Sequence, residues 1–378
     1  MDFSLSEEQQ AVADLATQII GEMATPERLT EIERATDPKG PFDDTLWAAL
    51  SEAGLLGIAV GEGFGGQGLD FVALTKVVEV VGSVAAYVPV VETLVSVADT
   101  IDRHGTEEQC SAWLPQIVDG SLIATAATAE FFGDLVAEGL SAPHTTATAS
   151  GAGWVLDGVK ACVPSGLRAE LVLIPATFAD GEVGLFLVDV ADVDVERQDG
   201  PLLPEATLTL SGVEVGADRL LGGSTTGGRT ILDSLALRTT AALCALEAGA
   251  ARSALTLGAT YTSEREQFGK KVATFQAVGQ RLGDAYVDAE AISLTAAQAS
   301  WRIATGVDAT KAVAVAKFWA AEGGQRVVHA ATHVHGGVGV DREYPLHRYF
   351  LLTRQIELTL GGATASLLTL GARVAAIQ

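Results

Sequence analysis

The residues with the clearest capacity for chemistry lie in one stretch, residues 261–276. It contains a permanent cation, Arg265, then an aromatic ring, Phe268, and then an amide side chain, Gln276. A guanidinium group presents a fork of donors that matches two phosphate oxygens. The pattern predicts a helix, a turn and a second helix, on which these three side chains together grip a large anionic cofactor.

The charge balance of the chain makes these basic residues informative. The 378 residues include 24 Lys and Arg against 48 Asp and Glu, which gives a formal charge of -24. Nucleic acids and anionic membranes both require a basic face, so neither is an expected partner. An anionic ligand must instead be held by particular side chains or backbone amides.

Composition also bears on the compartment. Apolar residues make up 48% of the chain, yet no uninterrupted apolar run approaches the roughly 20 residues that a membrane span needs. Cys110, Cys162 and Cys244 are widely spaced and form no CxxC pair, which is typical of a reducing compartment. The acidic first residues lack a signal pattern, so we expect a cytoplasmic protein.

Periodicity divides the chain into three parts. Residues 1–119 predict an N-terminal helical domain, residues 120–222 a small antiparallel β-domain, and residues 223–378 a bundle of four long helices. The fold class is therefore α+β.

Some local signals refine this outline. Ser6 is a candidate N-cap, and the first helix has an apolar face that consists of Val12, Leu15, Ile19 and Ile20. In the run Trp154–Lys160, the pair Asp157-Gly158 predicts a two-residue hairpin turn. The glycine-rich residues 61–68 have neither a following GK[ST] nor a preceding strand pattern, and they predict a tight turn between helices.

The α–β–α order, combined with Tyr-x-x-x-Arg-x-x-Phe-Gly at residues 261–269, resembles the acyl-CoA dehydrogenase family. The resemblance covers nearly the whole chain. The further segments that are similar to family patterns are Gly54–Gly57, Phe64–Leu69, Trp154–Lys160 and His335–Val340. The fold that it implies is an N-terminal helical domain, a central antiparallel β-domain and a C-terminal four-helix bundle.

The resemblance implies a flavoprotein. The family binds FAD non-covalently and desaturates an acyl-CoA thioester: a Glu removes the α-proton, the flavin takes the β-hydride, and an electron-transferring flavoprotein accepts the electrons. Removing the α-proton requires a carboxylate near the thioester and donors that stabilise an enolate-like transition state. The expected process is lipid or steroid side-chain β-oxidation.

One part of the implied FAD site is present. In the family, the Arg, Phe and Gln of this motif contact the pyrophosphate and adenosine side of an FAD held mainly by the neighbouring subunit. The glycine loop closes over the adenine end, where glycine permits close backbone approach. The residues expected to hold FAD are Arg265, Phe268, Gln276, His333, Gly336 and Gly337. The alternative for Arg265 is a solvated cation at a helix end, paired with a carboxylate.

The positions that line the flavin ring in the family differ here. Where the family carries Thr-Glu-Pro…Gly-Ser-Asp, residues 127–133 read Ala-Thr-Ala-Glu-Phe-Phe-Gly and no Gly-Ser-Asp follows. The Trp and Thr positions after Lys160 are Cys162 and Pro164. A thiol cannot cover a flavin ring, and Pro164 offers neither a hydroxyl nor an N–H donor.

Both family positions for the catalytic base also lack a carboxylate. One falls on Gly361, and the other, 26 residues before the motif Arg, falls on Thr239. Asp233 and Glu247 are the nearby carboxylates. Glu247 is eight residues from Thr239, about 12 Å along a helix, and we expect both acids to be charges on a helix surface.

This division of retained and lost residues suggests the non-catalytic subunit of a heteromeric acyl-CoA dehydrogenase, which completes the FAD site of a homologous partner. This pattern is similar to that of some actinobacterial family members that degrade steroid side chains, which are α2β2 assemblies with about half the usual FAD content. Two alternatives stay open: an active homo-oligomer that uses Asp233 or Glu247 as base, and a flavin-free scaffold on the same fold. No metal site is expected, because the neighbouring histidines, His329, His333 and His335, have no Cys or paired acid beside them.

Overall fold

The computed structural model describes residues 3–131, 135–136, 139–140 and 142–375. Phe132 and Gly133, which belong to the segment compared with the flavin-lining pattern, lie outside the described residues. The chain packs into two compact units, each taken by itself below. They are residues 1–34, 75–87 and 240–378, and residues 35–74 and 88–239. The division at 119/120 and 222/223 stays a prediction.

Twelve α-helices are found in the described residues. They are α1 (Glu7–Met23), α2 (Pro26–Arg34), α3 (Asp44–Glu52), α4 (Phe71–Val84), α5 (Asp99–His104), α6 (Glu107–Val118), α7 (Gly228–Glu264), α8 (Gln276–Ala304), α9 (Thr310–Phe318), α10 (Gly324–His335), α11 (Leu346–Leu358) and α12 (Ala363–Ala375). Two π-helical segments, Val91–Ala98 and Trp319–Gly323, run directly into α5 and α10.

The strands account for the expected β-domain and for two short hairpins. They are β1 (Ala124–Ala126), β2 (Leu135–Val136), β3 (Gly139–Leu140), β4 (Thr146–Ser150), β5 (Gly153–Pro164), β6 (Leu171–Phe178), β7 (Val183–Asp189), β8 (Asp194–Gln198), β9 (Glu205–Gly216), β10 (Glu266–Gln267) and β11 (Lys270–Lys271). The large sheet has the order β1-β6-β4-β5-β9-β8, and β7 also pairs with β6. Most pairs are antiparallel as predicted, but β6 runs parallel to β1 and β4. The α+β fold is confirmed.

The first helix begins where the sequence predicts. Ser6 caps α1 in a reciprocal capping box with Gln9, which satisfies two backbone donors that the helix cannot use itself. Val12 and Ile20 are buried, whereas Leu15 is 40% exposed. Leu15 therefore does not belong to the buried face.

The predicted hairpin turn at Asp157-Gly158 is wrong. β5 continues through both residues and pairs with β9 beyond them, with a register shift at this point. The dipeptide lies at a bulge, where Asp157 Oδ1 accepts a hydrogen bond from Gly212 N at 2.7 Å. Gly158 is needed for space, because a Cβ there would lie 2.5 Å from Thr145 Oγ1. The Asp-Gly pair thus serves a close approach within the sheet rather than a turn.

In the unit that contains α11, a buried ionic network joins α2 to α11. Arg348 is 2% exposed, and its Nε donates to Glu33 Oε1 at 2.7 Å. Tyr87 OH donates to the same oxygen. Burial alone would raise the pKa of Glu33, but hydrogen bonds from His347, Arg348 and Tyr87 outweigh it and lower the pKa to about 2. The carboxylate is therefore ionised at neutral pH and holds the two helices together.

One stretch in the described part of the chain, Leu346–Ala375, is long and apolar enough on average to cross a membrane. It is not one continuous helix, because α11 ends at Leu358 and α12 begins at Ala363. Length and composition alone are weak evidence for a membrane span, since core helices of soluble proteins meet the same criterion.

Candidate functional site

Arg265 and Phe268 belong to a short hairpin between α7 and α8. β10 and β11 pair antiparallel, and Phe268 (φ 54°) and Gly269 (φ 77°) occupy the two turn positions. Positive φ at both positions is what a type I′ turn requires. The structure therefore has the predicted helix, turn and helix, and the turn is built as a hairpin.

Ionic and aromatic contacts connect the residues of this hairpin. Lys271 Nζ lies 2.8 Å from Glu266 Oε1 across the two strands and also donates to the Glu264 carbonyl at 3.0 Å. The Phe268 and Phe275 rings meet edge to face at 6.2 Å between centroids. Even so, Phe268 is 91% exposed, so the hairpin presents its aromatic ring outward.

Arg265 has an exposed side chain with no carboxylate within ion-pair distance among the residues that the structure describes. Its backbone is fixed at both ends, since its N–H donates to Tyr261 O and its carbonyl accepts from Val272 N, each at 2.8 Å. Gln276 is also exposed, at the first position of α8. Within the part of the chain that the structure describes, no carboxylate neutralises Arg265 as that alternative requires.

The glycine loop follows α10. His333, Gly336 and Gly337 are exposed, and a Cβ added at either glycine would meet nothing within 4 Å. On the inner side the loop packs closely, because a Cβ at Gly339 would lie 2.6 Å from Thr332 O. The loop is therefore seated on α10 and leaves the backbone of its first two glycines open.

Stacked rings connect the glycine loop to the last turn of α7, which leads into the hairpin. Tyr261, in the last turn of α7, stacks on His335 with 4.4 Å between ring centroids. His335 is the last residue of α10 and immediately precedes Gly336. Sequence reasoning placed these residues in the motif and the loop but gave no sign of their contact.

Cys162 and Pro164, at the C-terminal end of β5, are here called the β-domain edge. Cys162 is exposed, with φ 49°, and its N–H already donates to Gln198 Oε1 at 3.1 Å. Gln198 Nε2 in turn lies 3.4 Å from Cys162 Sγ. Pro164 has no N–H, and its carbonyl accepts from Thr125 Oγ1 at 2.6 Å. Neither position that matches a flavin-lining residue of the family has a backbone donor to spare.

The same strand, β5, carries a buried ion pair that the sequence analysis did not identify. Lys160 Nζ donates to Glu130 Oε1 at 2.6 Å and to Pro175 O at 2.8 Å. Glu130 also accepts from the backbone and hydroxyl of Thr145. Burial would raise the pKa of Glu130, but Lys160 and Thr145 lower it to about 2. The sequence signal for this pair was Lys160 itself, which lies between the apolar residues Val159 and Ala161 in a predicted strand. A lysine that is buried there needs a partner for its ammonium group.

Neither family position for the base can supply one. Gly361 is buried and has φ 93°, a conformation that a Glu would adopt only with strain. Thr239 is buried too, and its hydroxyl lies 2.9 Å from Ser96 Oγ. Thr239 is thus engaged in an internal hydrogen bond.

The two nearby carboxylates behave differently from each other. Asp233 is about half exposed and pairs with Arg229 at 3.0 Å, as expected of a helix-surface charge. For Glu247 that expectation is wrong, because it is 0% exposed. Its Oε1 accepts from Thr353 Oγ1 at 2.9 Å, and its Oε2 has no partner in the described residues. Burial raises the pKa of Glu247 to about 8.

The carboxylate of Glu247 packs against Gly324, at the start of α10. A Cβ at Gly324 would lie 2.4 Å from Glu247 Oε1, so a larger residue there would require the Glu247 carboxylate to move. The sequence of α7 around Glu247 is rich in Ala and Leu, and it gives no polar face from which exposure could be read.

Comparison with known proteins identifies the family of this chain. Residues 6–121 match the model of the acyl-CoA dehydrogenase N-terminal domain, and residues 227–376 match that of the C-terminal domain. The chain belongs to the acyl-CoA dehydrogenase family. The resemblance stated from the sequence motifs is confirmed.

Individual relatives cover the whole chain. Acyl-CoA dehydrogenase FadE27 from Mycobacterium tuberculosis is 35% identical over 386 residues, 99% of each chain. A chain of the ChsE4-ChsE5 complex from Mycobacterium tuberculosis superimposes with a TM-score of 0.91 at 36% identity, again over 99% of both chains. A chain from a variant of the Tcur3481-Tcur3483 steroid ACAD gives a TM-score of 0.89 at 43% identity and the same coverage.

The acyl-CoA dehydrogenases are oxidoreductases that act on acyl-CoA. This chain matches the family's residue pattern in one part of the candidate site and departs from it in another. The hairpin and the glycine loop carry every family residue that the motif comparison predicted there. At the β-domain edge and at both base positions, the residues Cys162, Pro164, Thr239 and Gly361 differ from those that the resemblance leads us to expect there.

Proposed function

We propose that this chain is the non-catalytic subunit of a heteromeric acyl-CoA dehydrogenase and completes an FAD site held mainly by a homologous partner chain. One observation carries the proposal: Arg265 is exposed on the hairpin without a carboxylate partner in the described residues, whereas the N–H of Cys162 is already bonded to Gln198 and Pro164 has no N–H. The first arrangement suits a ligand from outside this chain, and the second does not suit a flavin within it.

The hairpin and the glycine loop fit the adenosine and pyrophosphate part of FAD. The Arg265 guanidinium is available to phosphate oxygens, and the exposed Phe268 ring is available to an adenine or to the partner. The open backbone at Gly336 and Gly337 allows close approach, and His333 and Gln276 flank it with exposed polar side chains. When bound, FAD supplies the hydride acceptor for α,β-desaturation of the acyl-CoA.

Proton removal is assigned to the partner subunit. A general base must reach the proton that it takes, and Asp233 is held by Arg229. Glu247 is fully buried against Thr353, and its raised pKa leaves it mostly protonated at neutral pH. The environments of Asp233 and Glu247 therefore do not support the alternative of an active homo-oligomer in which one of them is the base.

We infer that the assembly acts on an acyl-CoA of lipid or steroid side-chain β-oxidation in the cytoplasm and passes electrons to an electron-transferring flavoprotein. Support for the substrate class comes from 43% identity to a chain from a steroid ACAD. Support for two unlike subunits comes from 36% identity to a chain of a complex between ChsE4 and ChsE5.

The proposal is tested by co-expressing this chain with a homologous acyl-CoA dehydrogenase chain and replacing Arg265. Arg265→Ala should weaken FAD binding by the complex roughly 10- to 100-fold, as expected for a lost charge-assisted hydrogen bond. Arg281→Ala, at another exposed arginine on α8, is the matched control and should leave FAD in place. Equal FAD retention by both variants would overturn the proposal. A complex that stays colourless with every homologous chain would support the flavin-free scaffold instead.

A further inference from the structure

Three aromatic rings join the two segments of the candidate site. Tyr261 lies four residues before Arg265, His335 lies directly before Gly336, and Tyr344 lies between the glycine loop and α11. Tyr261 and His335 are stacked with an interplanar angle of 26°. Tyr344 completes the cluster, with its centroid 5.0 Å from that of His335 and 6.5 Å from that of Tyr261.

Hydrogen bonds fix the orientation of the imidazole ring. His335 Nδ1 lies 2.7 Å from Ala331 O, so Nδ1 must carry the proton, because a carbonyl only accepts. His335 Nε2 lies 3.0 Å from Tyr344 OH and then accepts from that hydroxyl. Burial lowers the pKa of His335, which favours the neutral ring.

We propose that His335, clamped by Tyr344 and stacked on Tyr261, is a positioning residue that sets the distance between the Arg265 guanidinium and the Gly336-Gly337 backbone. The two segments can then hold the pyrophosphate and the adenine end of the same FAD. This inference rests on the proposed function.

Each ring of the stacked pair is tied to one of the two segments. Gly336 follows His335 directly in the chain and has φ 62°. On the other side, the Tyr261 carbonyl accepts the N–H of Arg265 at 2.8 Å. The stack therefore connects the residue that begins the glycine loop to the residue that receives the first backbone hydrogen bond of the hairpin.

The test compares two tyrosines of the same unit. Tyr344→Phe removes the donor to His335 Nε2 and keeps the ring. Tyr349→Phe, the control, removes a hydroxyl that donates to Ser83 O at 2.9 Å. Hydrogen exchange of residues 262–275 and 336–342 is measured in the full chain, and the dissociation constant of FAD is measured in the complex.

Tyr344→Phe should speed exchange in both segments and weaken FAD binding on the order of 5-fold, the effect of one lost hydrogen bond. Tyr349→Phe should change neither, even if it lowers the melting temperature as much. His335→Phe, which keeps the stack and removes both nitrogens, should reproduce the effect if Tyr344→Phe does not fold. Identical exchange and FAD binding in the Tyr344 and Tyr349 variants would overturn the inference.

The outcomes separate the inference from the proposed function. If Arg265→Ala loses FAD but Tyr344→Phe changes neither segment, the positioning role fails and the shared site stands. If Tyr344→Phe loosens both segments but Arg265→Ala keeps FAD bound, the shared site fails, and with it the assignment of His335 to FAD positioning.

Discussion

The hairpin at Arg265 and the β-domain edge at Cys162 each lie beside an ion pair, but they present different chemistry. The hairpin is braced by the Lys271–Glu266 pair and presents a guanidinium and an exposed phenyl ring. The strand that carries Cys162 is braced by the buried Lys160–Glu130 pair, yet its amide is already bonded and a proline follows. The comparison teaches that the family fold can persist where the residues depart from the family's site pattern, because different residues carry the fold and the site.

The largest effect is expected inside the β-domain. Lys160→Met leaves the Glu130 carboxylate buried without its cation, which should destabilise the protein by about 3–5 kcal/mol, measured by urea unfolding. The Glu130→Gln, Lys160→Met double variant should recover part of the loss. Because the pKa of Glu130 is lowered to about 2, the contribution of this pair is present above the ordinary pKa of 4.5 and is lost as the pH falls towards 2. A loss below about 1 kcal/mol would show that the pair does not brace this edge.

Glu247 should make the stability of the protein depend on pH in the opposite direction to Glu130, with stability lost as the pH rises. Its pKa in the folded chain, about 8, lies above the ordinary value of 4.5, so folding takes up a proton between these values and stability falls as the pH rises from 4.5 to 8. Glu247→Gln should remove this fall and be more stable than the wild type by about 2 kcal/mol or more at pH 8. Urea unfolding at pH 5 and pH 8 measures it, with the exposed Asp233→Asn as control. A wild-type chain that is equally stable at both pH values would contradict the account.

Restoring a carboxylate at the family's base position should not restore catalysis. Gly361→Glu should cost about 1–2 kcal/mol of stability, because φ is 93° at this position and side chains disfavour it. The isolated variant should show no acyl-CoA oxidation in a dye-reduction assay. Gly362→Glu is the control, since a Cβ there has its nearest neighbour at 3.8 Å. Turnover by the Gly361 variant would mean that this chain retains a working flavin and substrate site.

The smallest effect is expected at Cys162. Cys162→Ser in the co-expressed complex should change FAD content by less than about twofold, because the backbone N–H stays bonded to Gln198 and a side-chain contact of an exposed residue contributes little. Absorbance of the purified complex at the flavin band measures the content. A loss as large as that of Arg265→Ala would mean that this edge holds flavin after all.

Sequence reasoning succeeded where a pattern is long or a residue type is chemically distinctive. The helical periodicity and the helix, turn and helix around Arg265 are such cases, whereas the FAD contacts predicted there and at Gly336 stay a prediction. It failed at Asp157-Gly158, since the same dipeptide serves a turn or a bulge and only the partner strand decides. It failed at Glu247, whose carboxylate packs against Gly324, 77 positions away in the chain. The four-residue pairing of β10 and β11 is too short to show any periodicity.

Counting FAD per chain tests the central claim most directly. The chain is purified alone and with its homologous partner, and the visible absorption spectrum is compared with the protein concentration. The account predicts an isolated chain with little or no flavin, and a complex with FAD at half the molar amount of chains. An isolated chain that carries FAD at its own molar amount and oxidises acyl-CoA would contradict it.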